Sequence, residues 1–475
     1  MDFPLFHLDF MGNRMLVAVI AIIHVLINHA IAVGFVPIVT LLEYLGYKSG
    51  ETEPEKGAYW DKFSYKLLFV AFVITTTVGA LTGVGIWFAA ALVNPASIAS
   101  LIRVFYMAWF TEWLIFVTEV VLIMLYFLSW KRLSKTREGK RKHIIFGASL
   151  AIFSWLTMAI IVAILGFMMD PGNWLNDGDF WSGVLNPIYM PQLVFRTGVS
   201  MMMGGMFALF LSSFFLKKDN PVKVPATRTM TLYTLFWTPI AALGAFIYYI
   251  KIPDYMVGNL PVALGTQQFQ EWYGSLIYVV AGAVAVAVLV CLGLLWKPRK
   301  FPKGWLWIPL ILLFGFLGTF ERLREFIRKP YVIADYMYAN GLLKEDYALF
   351  KRDGVLPHSS YTNTSKVTER NRLEAGKNVF KIACTRCHTT GGINSIVTNF
   401  EKMYGAEKPF DATAMKAYIS GMHNVKIFMP PFPGNEEELD ALVLYIKSLQ
   451  EHPETLEGVQ INGTEVNLYK IKSDQ

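Results

Sequence analysis

The chain has 475 residues, 54% of them hydrophobic, 15% aromatic and 17% charged, with a mean hydropathy of +0.40. Soluble globular domains carry about 25% charged residues, so the composition argues against an ordinary soluble protein and for a bilayer. The net charge of +7 sits on the flanks of apolar runs, where topology explains it and nucleic-acid binding does not; the three cysteines, Cys291, Cys384 and Cys387, are too few for a disulfide scaffold.

A helix that crosses the hydrocarbon core needs about 20 predominantly apolar residues. Eight stretches qualify, in chain order 15–42, 66–92, 102–130, 144–169, 189–216, 229–250, 271–296 and 305–322. The opening Met1–Asn13 holds Asp2 and Asp9 and no basic residue, unlike a cleavable signal peptide, so the first span is expected to be retained. Basic residues gather after the first span (Lys48, Lys56, Lys62), the third (Lys131, Arg132, Lys135, Arg137, Lys140, Arg141, Lys142), the fifth (Lys217, Lys218, Lys223, Arg228) and the seventh (Lys297, Arg299, Lys300, Lys303). The opposite loops 93–101 and 170–188 contain no Lys or Arg, and 251–270 little beyond Lys251. The positive-inside bias puts the basic connections in the cytoplasm and both termini outside. An even number of spans agrees, since it puts both termini on one side. Cys291, within an apolar run, reads as a buried small residue.

From about residue 331 the composition is that of a soluble domain. A membrane domain is expected over 1–330, a linker over 331–364, with the polar run 353–372 beside it, and a second domain over 365–475. There Cys384-Thr-Arg-Cys387-His388 forms C-x-x-C-H, the attachment signal for covalent haem. Two thiols three residues apart match two vinyl groups of one haem, and the adjacent His becomes an axial ligand of the iron. A zinc site would want a second ligand pair and a redox pair a thioredoxin-like βαβ context; the sequence offers neither. A helix is expected over 369–383, and a capped, acid-started one from Asn435 to about Leu449, with Phe428-Met429-Pro430-Pro431-Phe432-Pro433-Gly434 between them. Over about 365–452 this arrangement resembles class I c-type cytochromes, including Gly376 and Phe380 as helix-packing positions. The resemblance implies Met429 as sixth ligand, with His423 as the alternative, and Met/His ligation favours a higher potential than two histidines. His358 and His452 read as solvated. Attachment of haem c resembles a process of the outer face in bacteria, the side to which charge bias assigns this domain.

Ionisable residues inside a bilayer are costly and usually functional. The candidates are His24, His29, Glu112, Glu119 and Arg196, with Glu321, Arg322, Arg324, Glu325 and Arg328 at the outer end of the eighth span. His24 and His29 lie about 140° apart on an ideal helix and are not expected to share a target. Glu112 and Glu119, seven apart, share one face, as a candidate proton route or as partners of neighbouring helices.

Arg14, His24 and Leu42-Glu43, with Glu119, Trp130-Lys131-Arg132-Leu133, Phe167-Met168-Met169-Asp170-Pro171, Leu185-Asn186-Pro187 and Glu325, Arg328 and Pro330-Tyr331, make about 10–331 resemble subunit I of cytochrome bd quinol oxidases. The resemblance implies that His24 ligates a haem b and that Glu119 stands on a proton route. Other positions depart from it. Phe195, next to Arg196, stands where the family has a haem-ligating His, Gly318 where it has a Glu ligand, and Thr111 where it has its other third-span acid. The quinol-binding loop is reduced to 251–270, and the cytochrome domain follows where a ninth span would come. His29 is a candidate second ligand, and Arg322, Arg324 and Arg328 are candidate propionate partners.

The expected fold is therefore all-α, a polytopic bundle of about eight spans with a C-terminal soluble class I cytochrome c domain. Three functions compete. One is an electron-transfer subunit between haem b, on the quinol side, and one covalent haem c, exchanging electrons with an external cytochrome or other redox protein and working with further subunits in the bacterial cytoplasmic membrane. The second is an oxidase fed by haem c. The third, a mere anchor, needs only one span. The lost ligand positions favour the first.

Overall fold

A computed structural model describes residues 6–264, 273–299, 301–405, 409–451, 459–461 and 464–466. Among them seven helices are long and apolar enough to cross a membrane: Asn13–Ser49, Pro54–Val93, Pro95–Leu128, Arg137–Met169, Tyr189–Phe215, Lys223–Lys251 and Lys303–Ile327. The helix Tyr273–Trp296 occupies the remaining expected place, between the last two. The protein is a multi-pass membrane protein, nearly all helical. His452 lies outside the described residues.

The chain divides into two compact units. One comprises Ala21–Val84 and Val104–Phe326, the body of the membrane helices. Its fourth and fifth spans are the most buried and its second and third the least. Small residues let the first and fifth spans meet backbone to backbone: a methyl on Gly204 would fall on the Gly34 carbonyl, and one on Gly34 on the Ser200 carbonyl. At this crossing the first span widens from α-helix into a π-helical stretch, Asn28–Phe35. Cys291 is fully buried.

The other unit comprises Met1–Ile20, Gly85–Arg103 and Ile327–Gln475. Its core is the cytochrome-like domain, with helices Arg372–Ala383, Ile396–Tyr404, Ala412–Val425 and Glu436–Glu451. The first and last cross so closely that a methyl on Gly376 would strike the Ala441 carbonyl, with the Phe380 and Tyr445 rings 5.6 Å apart beside the crossing. Asn435 caps the last helix, its Oδ1 accepting from the Glu438 amide at 3.0 Å.

The stretch 331–364, expected as a linker, is folded. It holds a two-stranded hairpin (Tyr331–Ile333 with Met337–Tyr338) and the helix Tyr347–Asp353. Tyr338, Leu342, Tyr347, Phe350, Val355 and Leu356 are buried in the cytochrome core. The buried Glu438 carboxylate accepts the amides of Val355 and Leu356, each at 2.8 Å. Backbone groups of a loop under a core need such partners. His358, expected as solvated, is half-buried with its ring 5.5 Å from that of Phe350.

Candidate functional site

The helix Arg372–Ala383 ends at Cys384, whose amide still bonds the Phe380 carbonyl at 2.8 Å. The next turn is tight: the amides of Cys387 and His388 both bond the Cys384 carbonyl, at 3.1 and 2.9 Å. It carries two free thiols and the imidazole on one short loop. Burial, with Cys387 beside it, pushes the Cys384 thiol up to about 12, so it stays protonated. His388 Nδ1 donates to the Asn394 carbonyl at 3.2 Å, and Asn394 Nδ2 donates back to the Cys387 carbonyl at 2.7 Å. A histidine whose Nδ1–H is held in this way presents Nε2 to a metal. Met429 opens the proline strap and is half-buried. His423 Nδ1 donates to the Met429 carbonyl at 2.6 Å, so His423 braces the strap that carries the candidate ligand.

These residues fit a covalent haem. The fit extends to Arg386, inside the motif, which is 9% exposed with Nε and Nη1 lacking partners. Burial lowers it to about 10, so it keeps its charge at neutral pH and suits a carboxylate such as a propionate. Replacing Met429 by Ala should leave haem attachment intact while removing the weak red absorption band of Met–iron bonding. Absence of that band from the wild-type protein would return His423 to candidacy.

In the membrane helices, His24 Nδ1 lies 3.2 Å from Thr82 Oγ1. That hydroxyl donates to the Val78 carbonyl at 2.7 Å, so it accepts from Nδ1–H and leaves the Nε2 lone pair for a ligand. The ring lies against Gly83, where a methyl would come 3.1 Å from Cε1. His24 therefore fits a haem ligand.

His29 does not. Its Nε2 accepts from Arg196 Nη1 at 2.9 Å, which uses the lone pair that iron would need. It also lies within electrostatic reach of His24. Arg196, fully buried, pairs with Glu321 at 2.5 Å, and Arg324 Nε reaches the other Glu321 oxygen at 3.1 Å. Arg324 keeps a buried Nη1 without a hydrogen-bond partner, Arg328 Nη1 donates to the Val332 carbonyl at 2.6 Å, and Arg322 is exposed. Phe195 packs among Phe320, Tyr248 and Phe316, at 4.8, 6.2 and 6.4 Å between ring centres. A methyl on Gly318 would meet Ile22 at 3.4 Å.

Glu119 accepts from Ser154 Oγ at 2.7 Å and Thr157 Oγ1 at 3.2 Å; Glu112, one stripe position outward, is half-buried. The same stripe continues to the buried Tyr126, a position the sequence reading missed although the seven-residue spacing marks it. Tyr126 donates to Glu43 at 2.8 Å, and His143 Nδ1 lies 2.6 Å from the other Glu43 oxygen.

A membrane helical body with a ligand-oriented histidine, and a small helical domain with a thiol pair, an axial histidine and a methionine strap, define a membrane-bound c-type haem protein. The sequence model of Cytochrome bd terminal oxidase subunit I matches residues 13–250, half of the chain, and the chain belongs to that family. Residues 371–446 match the model of Cytochrome C oxidase, cbb3-type, subunit III. Among solved structures, that of bd oxidase from Geobacillus thermodenitrificans is similar over 70% of this chain and 90% of that one, with a TM-score of 0.53 and 17% identity. At that identity the likeness is one of fold. No curated protein matches by sequence. The two families imply haem c and haem b, a role in membrane electron transfer or oxidase chemistry, and a lipid environment.

Proposed function

We propose that the chain is the electron-carrying subunit of a respiratory complex, passing electrons between a haem b on His24 and one covalent haem c on Cys384, Cys387, His388 and Met429. Bound haem supplies one-electron carriage; the protein supplies ligands, orientation and exclusion of water. The charge bias of the connections supports a bacterial cytoplasmic membrane with the cytochrome domain on the outer face. There an external cytochrome or other redox protein exchanges electrons, while quinol and further subunits act at the membrane body.

The carrying observation is a contrast between His24 and the other two ligand positions expected from the family. His24 is set up by Thr82 for a metal. Phe195 is locked in an aromatic cluster, and Gly318 has no side chain to offer. A buried haem needs polar partners for its iron and propionates, and neither position supplies a ligand. Reducing oxygen takes four electrons, which favours several haems close together. The second reading, an oxidase fed by haem c, draws its support from Glu119 with its two hydroxyl donors and Glu112 on the same stripe.

Oxygen uptake separates them. The purified protein, given reduced cytochrome c or quinol, should consume oxygen no faster than its His24→Ala variant. That variant should have lost its non-covalent haem and kept its covalent one. Rapid uptake that disappears with His24→Ala or Glu119→Gln would establish the oxidase instead.

A further inference from the structure

The haem c loop is gripped by the beginning of the chain. Asp9, 7% exposed, accepts from the Thr390 amide at 2.6 Å, the Thr390 hydroxyl at 2.8 Å and the Gly391 amide at 3.3 Å. His7 Nε2 lies 2.8 Å from its Oδ1. Burial pushes this carboxyl up, but the bonds from His7 and Thr390 outweigh it and hold Asp9 below its usual range, hence ionised. Gly392 makes room for the approach: a methyl there would strike the carbonyls of Asp9 and Phe10. Asn13 closes the segment on itself, accepting from the Leu8 amide at 3.0 Å and donating to the Phe6 carbonyl at 2.8 Å. Arg14, one residue on, lies within electrostatic reach of Cys387 and His388.

A loop of surface residues would not need this. Thr390 is only two residues beyond the axial histidine, and its partner sits 381 residues away in the chain. The segment therefore brings one buried negative charge and one positive charge to the ligand loop from outside the cytochrome domain. Fixed charges near a redox centre act on its two oxidation states unequally: a carboxylate favours the more positive, oxidised state and a guanidinium opposes it.

We propose that residues 7–14 tune haem c, with Asp9 and Arg14 as positioning residues of opposite electrostatic effect on the His388 loop. This rests on the reading of Cys384, Cys387 and His388 as a haem c site. Nothing in it depends on where the electrons go next.

The test is a spectroelectrochemical titration of the covalent haem in the full-length, detergent-solubilised protein. Asp9→Asn should raise the midpoint potential, and Arg14→Gln should lower it. A segment that merely buttresses the loop would, when loosened, shift both variants the same way. Should Asp9→Asn fail to assemble, Arg14→Gln alone must still lower the potential. Shifts of equal sign, or none, overturn the proposal. A wild-type chain without covalent haem overturns instead the haem c reading on which it rests.

Discussion

The double change of Cys384 and Cys387 to Ala should abolish haem staining of the denatured chain on a gel. Only thioether-linked haem survives denaturation, and Cys291, the one remaining thiol, is fully buried in another helix. Single changes should each leave one thioether and partial staining. Full staining of the double variant would remove the haem c assignment altogether. The non-covalent haem of the membrane body should be unaffected, because its proposed ligand, His24, stands on a membrane helix and not in the cytochrome-like domain.

Arg196→Leu should destabilise the protein by about 3–5 kcal/mol, the usual cost of removing one partner from a buried ion pair. The loss has two parts. Glu321 keeps only Arg324, at 3.1 Å, and His29 loses the donor to its Nε2. Adding Glu321→Gln should restore part of the loss, because the neutral amide no longer needs a second cation yet its oxygen can still accept from Arg324 Nε. Resistance to unfolding by SDS, compared among wild type, single and double variants, checks this. A single variant as stable as wild type would show that the cluster stabilises nothing. A double variant worse than the sum of the singles would mean that the ion pair itself holds the helices together.

Some of this protein is local chemistry, and local chemistry is legible in a sequence. Twenty apolar residues in a row have few options other than a membrane-spanning helix, so seven spans and the place of an eighth helix follow from composition. C-x-x-C-H places two thiols and an imidazole on one turn whatever surrounds it. The cap at Asn435 and the close crossing at Gly376 are likewise properties of short stretches.

Tertiary structure decided the rest, because the partners lie far apart in the chain. His29 looked available until Arg196, 167 residues away, was found on its ring nitrogen. Arg324 reads as a propionate partner, and the fold adds a second role by setting its Nε on Glu321. The stretch 331–364 reads as a linker since its polarity is visible, whereas the core that receives Tyr338, Phe350 and Leu356 is assembled from elsewhere. Asp9 carries no motif at all. Its role arises only when the fold lays it on Thr390 and Gly391. Periodicity and spacing report which face a residue occupies, but a buried charge is defined by what neutralises it, and only the folded chain brings that partner near.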